Sequence, residues 1–256
     1  MNLSEEIAHK TYNNGNLITL KDVWFLGFAH DAYEFCFQVP LEKCIWGYGW
    51  RYTPEEHPFF HAFGQEEFLD TFYYRYRPQS ALEAVILQPG HGGWESLFVP
   101  WRCTIKPPKK PEQHPFIEDG GTQHYGPVSL ERLNREKRRL STVLTSIQEI
   151  GYQGGNGEHD HIRGYFMVQD DDFLFYIGAG KHRAAALLKL GYTSLPATFS
   201  IFVPRMPRLI SHQHLELLAG KVYDRRILPT VKTMFDGYFN EGIRQRRKSL
   251  LASWIQ

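Results

Sequence analysis

The apolar residues of this 256-residue chain come in two textures. Up to residue 105 they form short runs broken by turn residues: Leu17-Ile18-Thr19-Leu20, Val23-Trp24-Phe25-Leu26, and residues 33–39 and 84–87. Runs of this length between turns predict an antiparallel β unit. Residues 66–76 fit a helix or an edge strand equally. After residue 126 the pattern lengthens. Residues 128–150 place Val143, Leu144 and Ile147 on one apolar face among many charges, which predicts a helix. Residues 173–177 are an unbroken aromatic and aliphatic run, the mark of a strand covered on both faces. Gly178-Ala179-Gly180 then allows a sharp turn. Lys181 to Leu190 continues in helix formers as far as Gly191, a C-cap.

Between the two textures lies KPPKKPEQHP, residues 106–115, whose four prolines favour extended chain. The pattern therefore divides the chain into a β-rich N-terminal domain (1–105), a Pro-rich linker (106–125), a mixed domain (126–204) and a helical C-terminal extension (205–256). The expected fold class is α+β. In the extension, residues 212–218 and 229–243 read as helices, the second burying Val231, Met234, Phe235, Tyr238 and Phe239. Arg244-Gln245-Arg246-Arg247-Lys248 then precedes an apolar end. Such a basic amphipathic tail either docks on its own domain or rests on an anionic membrane face or polyanion.

Composition narrows the classes. A hydrophobic fraction of 42% suits a globular chain, and a net charge of +1 gives no bulk pull toward nucleic acid. The three cysteines lack C-x-x-C spacing and read as free thiols of a reducing cytosol. The N-terminus lacks an apolar signal core and no run is long enough to span a bilayer, so the expected location is cytoplasmic. The aromatic density over residues 46–61 is either core or a stacking platform for sugars or bases. Gln88-Pro89-Gly90-His91-Gly92-Gly93 reads as a hairpin connection. His159, Asp160 and His161 are adjacent, and adjacent residues rarely converge on one ion, so no metal site is assigned.

The candidate chemistry sits at residue 181. A helix start has unpaired N–H donors and a partial positive charge, so it attracts anions. Lys181, His182 and Arg183 add to that, and Gly178 and Gly180 bring backbone N–H groups close. Three basic or ionisable residues oppose the helix dipole unless an anion joins them. This is not a Walker A loop, because the G-x-x-x-x-G-K-[ST] spacing is absent. On the preceding helix, Arg139, Thr142 and Ser146 fall at i, i+3 and i+7, on one side. Glu136 lies one turn before Arg139.

GAGKHRAAALLKLGY resembles the signature of the ParB/sulfiredoxin superfamily, a strand and glycine turn followed by G-x-[HR]-R and a small-residue helix. Residues 140–152 (LSTVLTSIQEIGY) resemble its earlier helix, 162–168 the strand leading into its core, and 192–202 the next strand, ending "LGY-x-x-x-P" at Pro196. The resemblance covers roughly residues 126–204. It implies a nucleotide-binding domain using magnesium and ATP, ADP or CTP. Relatives bind CTP while clamping DNA, activate a sulfinic acid, or phosphorylate a small hydroxyl compound. Sulfiredoxin's cysteine is replaced here by Lys181, and the C-terminal segment lacks an obvious helix-turn-helix.

The resemblance thus implies a kinase-like phosphotransferase or NTP hydrolase acting on a small-molecule or glycan hydroxyl, in the setting of bacterial surface-glycan synthesis. Arg139, Thr142 and Ser146 would hold phosphates from one side, and Gly178, Gly180, Lys181, His182 and Arg183 from the other. Glu136 is the expected general base or magnesium ligand, or else a surface salt bridge to Arg132 or the charges near Lys137. His182 shares the catalytic role. The alternatives are a ParB-like nucleotide-dependent DNA-binding regulator or nuclease, and a non-catalytic anion-sensing module.

Overall fold

In the computed structural model the described residues are 10–65, 67–88, 97–99, 102–105, 124–154, 161–199, 207–221 and 223–255. The first half contributes β1 (Lys10–Thr11), α1 (Leu20–Phe28), β2 (Phe35–Pro40), β3 (Cys44–Trp46), β4 (Trp50–Arg51), α2 (Pro58–Ala62), α3 (Phe68–Arg75), α4 (Ala81–Ile86), β5 (Leu97–Val99) and β6 (Arg102–Ile105). The second contributes α5 (Leu130–Ile150), β7 (Ile162–Gln169), β8 (Asp172–Ala179), α6 (Lys181–Lys189), β9 (Ser194–Phe199), β10 (Leu209–Ser211), α7 (His212–Leu218), α8 (Leu228–Phe239) and α9 (Glu241–Ile255). Helices and a mixed sheet make the class α+β.

The main sheet runs β1-β2-β9-β7-β8-β3-β4. β7 pairs antiparallel with β8, Phe166 opposite Phe175. Its other edge is shared by β9 and β10, both parallel to it. Gly164 is required where β7 meets β8: a Cβ there would lie 2.1 Å from the carbonyl oxygen of Tyr176.

Strands from the first hundred residues close the sheet on both sides. β2 pairs antiparallel with β9, Phe37 opposite Ala197. β3 pairs parallel with β8, Cys44 opposite Phe175. The expected division at 106–125 therefore does not divide the sheet, and one hydrophobic cluster runs from Ile18 to Trp254. At its centre the Phe37 ring lies 5.4, 5.8 and 5.1 Å from those of Phe166, Phe175 and Phe199. The proline-rich stretch itself falls outside the described residues.

The N-terminal part is only partly the β unit expected from its short apolar runs: residues 33–39 lie largely in β2, but two other runs are helical. Val23-Trp24-Phe25-Leu26 lies inside α1. A four-residue run is too short for its period to separate helix from strand. A capping box decides it: the Asp22 carboxylate accepts from the Thr19 backbone N–H at 2.8 Å, and Thr19 Oγ1 accepts from Asp22 N–H at 3.4 Å. Residues 84–87 likewise lie mostly in α4, which Ser80 caps by accepting from Glu83 N–H at 2.9 Å. Within the stretch 66–76, Phe68–Arg75 forms α3.

In the C-terminal extension, the helix expected over 229–243 stops at Phe239. Asn240 takes extended backbone angles, and its Oδ1 accepts from Ile243 N–H at 3.0 Å, starting α9. The basic run then turns inward. Arg247 is buried and donates to the carbonyls of Tyr48 and Val85. Arg244 lies 2.7 Å and Lys248 3.6 Å from the buried Glu56 carboxylate, and Arg246 donates to the Ile86 carbonyl at 3.2 Å. Of the two expectations for this tail, docking on the domain is the one the contacts match. Among the described residues no helix is long and apolar enough to cross a membrane, and Cys36 and Cys44 are free thiols.

Candidate functional site

Two helices and an aromatic wall converge at the start of α6. Gly180 precedes it with φ 85° and ψ 17°, a left-handed conformation that disfavours any side chain, and a Cβ there would meet the Ile162 Cα at 3.0 Å. Gly180 has no side chain with which to cap this helix start.

α5 is capped by Ser129, whose Oγ accepts from Arg132 N–H at 3.1 Å. The face it buries is Leu133, Glu136, Leu140 and Ile147: an apolar stripe interrupted by one carboxylate. Glu136 is fully buried, so its charge must be met by partners. His182 Nε2 lies 2.7 Å from its Oε2, and Lys181 Nζ donates to the same oxygen at 3.2 Å. Arg132 Nε is 3.1 Å from Oε1, and the Arg139 guanidinium 3.8 Å. The expected alternative of a surface salt bridge is half met: Arg132 is a partner, but the carboxylate is interior, and Lys137 pairs with Asp70 at 2.5 Å instead.

Residues from the N-terminal half cover this cluster. The Lys181 ammonium sits 5.1 Å from the Trp46 ring centroid and 5.2 Å from that of Phe59. The His182 imidazole stacks on Phe59 with centroids 5.3 Å apart and planes within 3°. Tyr52 donates its hydroxyl to the Lys181 carbonyl at 3.3 Å. His57 Nδ1 accepts from Phe59 N–H at 3.2 Å and so caps α2.

These contacts set the charges. Burial alone raises a carboxyl pKa, but the His182 hydrogen bond and the Lys181, His182 and Arg132 charges outweigh it and bring Glu136 down to about 2. Burial lowers His182 to about 4, although the bond to Glu136 opposes that. Burial likewise lowers Lys181 to about 7 against the pull of Glu136. At neutral pH Glu136 is ionised and His182 is neutral. Nε2 must then carry the proton it gives to Glu136, leaving the Nδ1 lone pair as the ring's basic site. Burial also holds His57 well below the ordinary histidine range, with the charges of His61, Lys181 and His182 adding to the effect.

Of the residues singled out from the sequence, Glu136, Arg139, Lys181 and His182 come together. Gly180 sits at the helix start; Gly178 lies exposed two residues earlier on β8. Arg183 donates to the His161 carbonyl at 3.2 Å. Thr142 and Ser146 are exposed on α5, and among the described residues no hydrogen bond joins either hydroxyl to Glu136, Lys181 or His182. Sequence reasoning missed Trp46, Tyr52, His57 and Phe59 as neighbours of the site. Their aromatic density was visible, but pairing them with residue 181 requires the parallel β3–β8 register. The expected loop at 88–93 and the pair His159 and Asp160 fall mostly or wholly outside the described residues. No family model matches the chain, and neither does any curated protein or solved structure.

Proposed function

We propose that the chain is a nucleotide- and magnesium-dependent phosphotransferase of the kinase type, acting on a hydroxyl of a small molecule or glycan in the cytoplasm, with bacterial surface-glycan synthesis as its setting. The observation that carries this reading is the 2.7 Å contact between buried Glu136 and His182 at the start of α6. A carboxylate-held imidazole beside a helix N-terminus pairs a proton acceptor with an anion seat.

The residues present fit nucleotide phosphates. The first-turn N–H groups of α6 are positive, and Arg139, with its side chain 53% exposed, has room to turn toward an anion. Glu136 does not fit as a magnesium ligand, because both of its oxygens already face cations. A bound nucleotide with magnesium would supply the phosphoryl group. Glu136, held at about 2 by its cationic partners, keeps its charge for them. His182 Nδ1 takes the proton of the acceptor hydroxyl, and Glu136 holds Nε2–H and stabilises the resulting imidazolium. Lys181, brought down to about 7 by burial, adds its positive charge to the cluster when protonated.

A second reading, a non-catalytic anion sensor, is favoured by one observation: burial holds His182 at about 4, which makes it a weak proton acceptor at neutral pH. Calorimetry with ATP, ADP and CTP in magnesium, followed by transfer of a labelled γ-phosphate to a panel of hydroxyl compounds, separates the two. The kinase reading expects binding and transfer, with transfer lost in His182→Ala at unchanged thermal stability. The sensor reading expects binding without turnover, and the absence of binding for all three nucleotides contradicts the kinase reading.

A further inference from the structure

Phe59 lies in the N-terminal half, on α2, more than 120 residues before the imidazole that it covers. Its ring is fully buried and parallel to that of His182 within 3°. The ring is itself fixed twice. It packs on Trp46 at 4.7 Å between centroids, and the Phe59 N–H is held by His57 Nδ1 at 3.2 Å.

A single hydrogen bond to a carboxylate does not settle an imidazole's state. The ring can turn about the bond axis, and either nitrogen can face the carboxylate. A flat aromatic neighbour removes the first freedom. By covering one face it also keeps water from the ring, which favours the neutral form.

We infer that Phe59 is a positioning residue: by stacking on His182 it holds the imidazole in one plane with Nε2–H on Glu136 and Nδ1 as the ring's remaining basic nitrogen. The groups that share this environment are Glu136, Arg132 and Arg139 on α5, Lys181 on α6, and His57 at the start of α2. The N-terminal half thereby supplies a working wall of the site as well as strands of the sheet. The catalytic consequence rests on the reading of His182 as a base; the positioning itself does not.

The test is nitrogen-15 spectroscopy of the histidine rings of the full chain, without nucleotide, in wild type, Phe59→Tyr, Phe59→Leu and Phe59→Ala, with His182→Gln to assign the signal. Wild type and Phe59→Tyr are expected to show one Nε2–H tautomer titrating well below the ordinary histidine value. Phe59→Leu and Phe59→Ala are expected to show averaged tautomers and a midpoint that moves up toward about 6.5. Should Phe59→Ala fail to fold by circular dichroism, Phe59→Leu carries the comparison. A single unchanged tautomer and midpoint in the folded Leu or Ala variant overturns the inference. Because no nucleotide is present, that outcome leaves the phosphotransferase reading to its own test.

Discussion

The carboxylate of Glu136 on α5 lies 2.7 Å from Nε2 of His182 on α6, although 46 residues separate the two in sequence. The ion pairs from Lys181 and Arg132 make this carboxylate the counter-charge of the whole cluster. Removing it leaves buried cations without a partner, the costly way to break a buried pair. Glu136→Gln should therefore lose about 3–5 kcal/mol of unfolding free energy in urea. A loss below about 1 kcal/mol, the scale of an exposed pair, would show that the carboxylate is not buried in solution.

The same cluster gives stability a pH dependence of definite sign. Glu136 falls from 4.5 to about 2 on folding, so its contribution is present above 4.5 and is lost as pH falls from there to about 2. His182 falls from 6.5 to about 4, so between those values the unfolded chain binds more protons and stability again rises with pH. Urea midpoints measured from pH 3 to 7 should climb steadily, and His182→Gln should flatten the climb between about 4 and 6.5. A midpoint that is level over that interval in the wild type contradicts the burial of the imidazole.

Gly180 is required at the start of α6 by its positive φ. Gly180→Ala should cost about 1–2 kcal/mol through the left-handed backbone alone. The Cβ also presses on Ile162, so the first turn of α6 must shift. Nucleotide affinity should then fall by more than the stability loss explains, measured by calorimetry on the folded variant. Equal affinity in the variant would separate the anion seat from this turn.

Arg247 ties α9 to the carbonyls of Tyr48 and Val85, and its guanidinium fills the space above Gly49. Arg247→Ala strands two buried acceptors and opens a cavity. It should lower stability by about 3 kcal/mol or more in urea unfolding. A neutral effect would mean that the tail is not held as described.

The class of the fold and the strand–turn–helix at 173–191 were legible because they rest on local signals: an unbroken apolar run, glycine spacing and helix formers. So was the convergence of Glu136, Lys181, His182 and Arg139, which follows once α5 packs on α6. The run at 33–39 was legible as a strand and lies largely in β2, but those at 23–26 and 84–87 were not legible as helices. Those two runs are four residues long, and only the caps at Thr19 and Ser80 separate the possibilities. Nor does a proline-rich stretch reveal that β2 and β3 close the sheet on either side, since strand pairing across more than a hundred residues leaves no local mark. Docking of the basic tail was the first expectation, but the burial of Arg247 runs against the ordinary placement of arginine and left no mark in the sequence.

The most direct measurement is transfer of labelled γ-phosphate from ATP with magnesium to a panel of small and glycan hydroxyl compounds, comparing wild type with His182→Ala. The account predicts that the wild type transfers label and that the variant, folded with an unchanged melting temperature, is slower by at least about 100-fold. Transfer at the wild-type rate by the folded variant would contradict the role given to His182, and no nucleotide binding by the wild type would contradict the site itself.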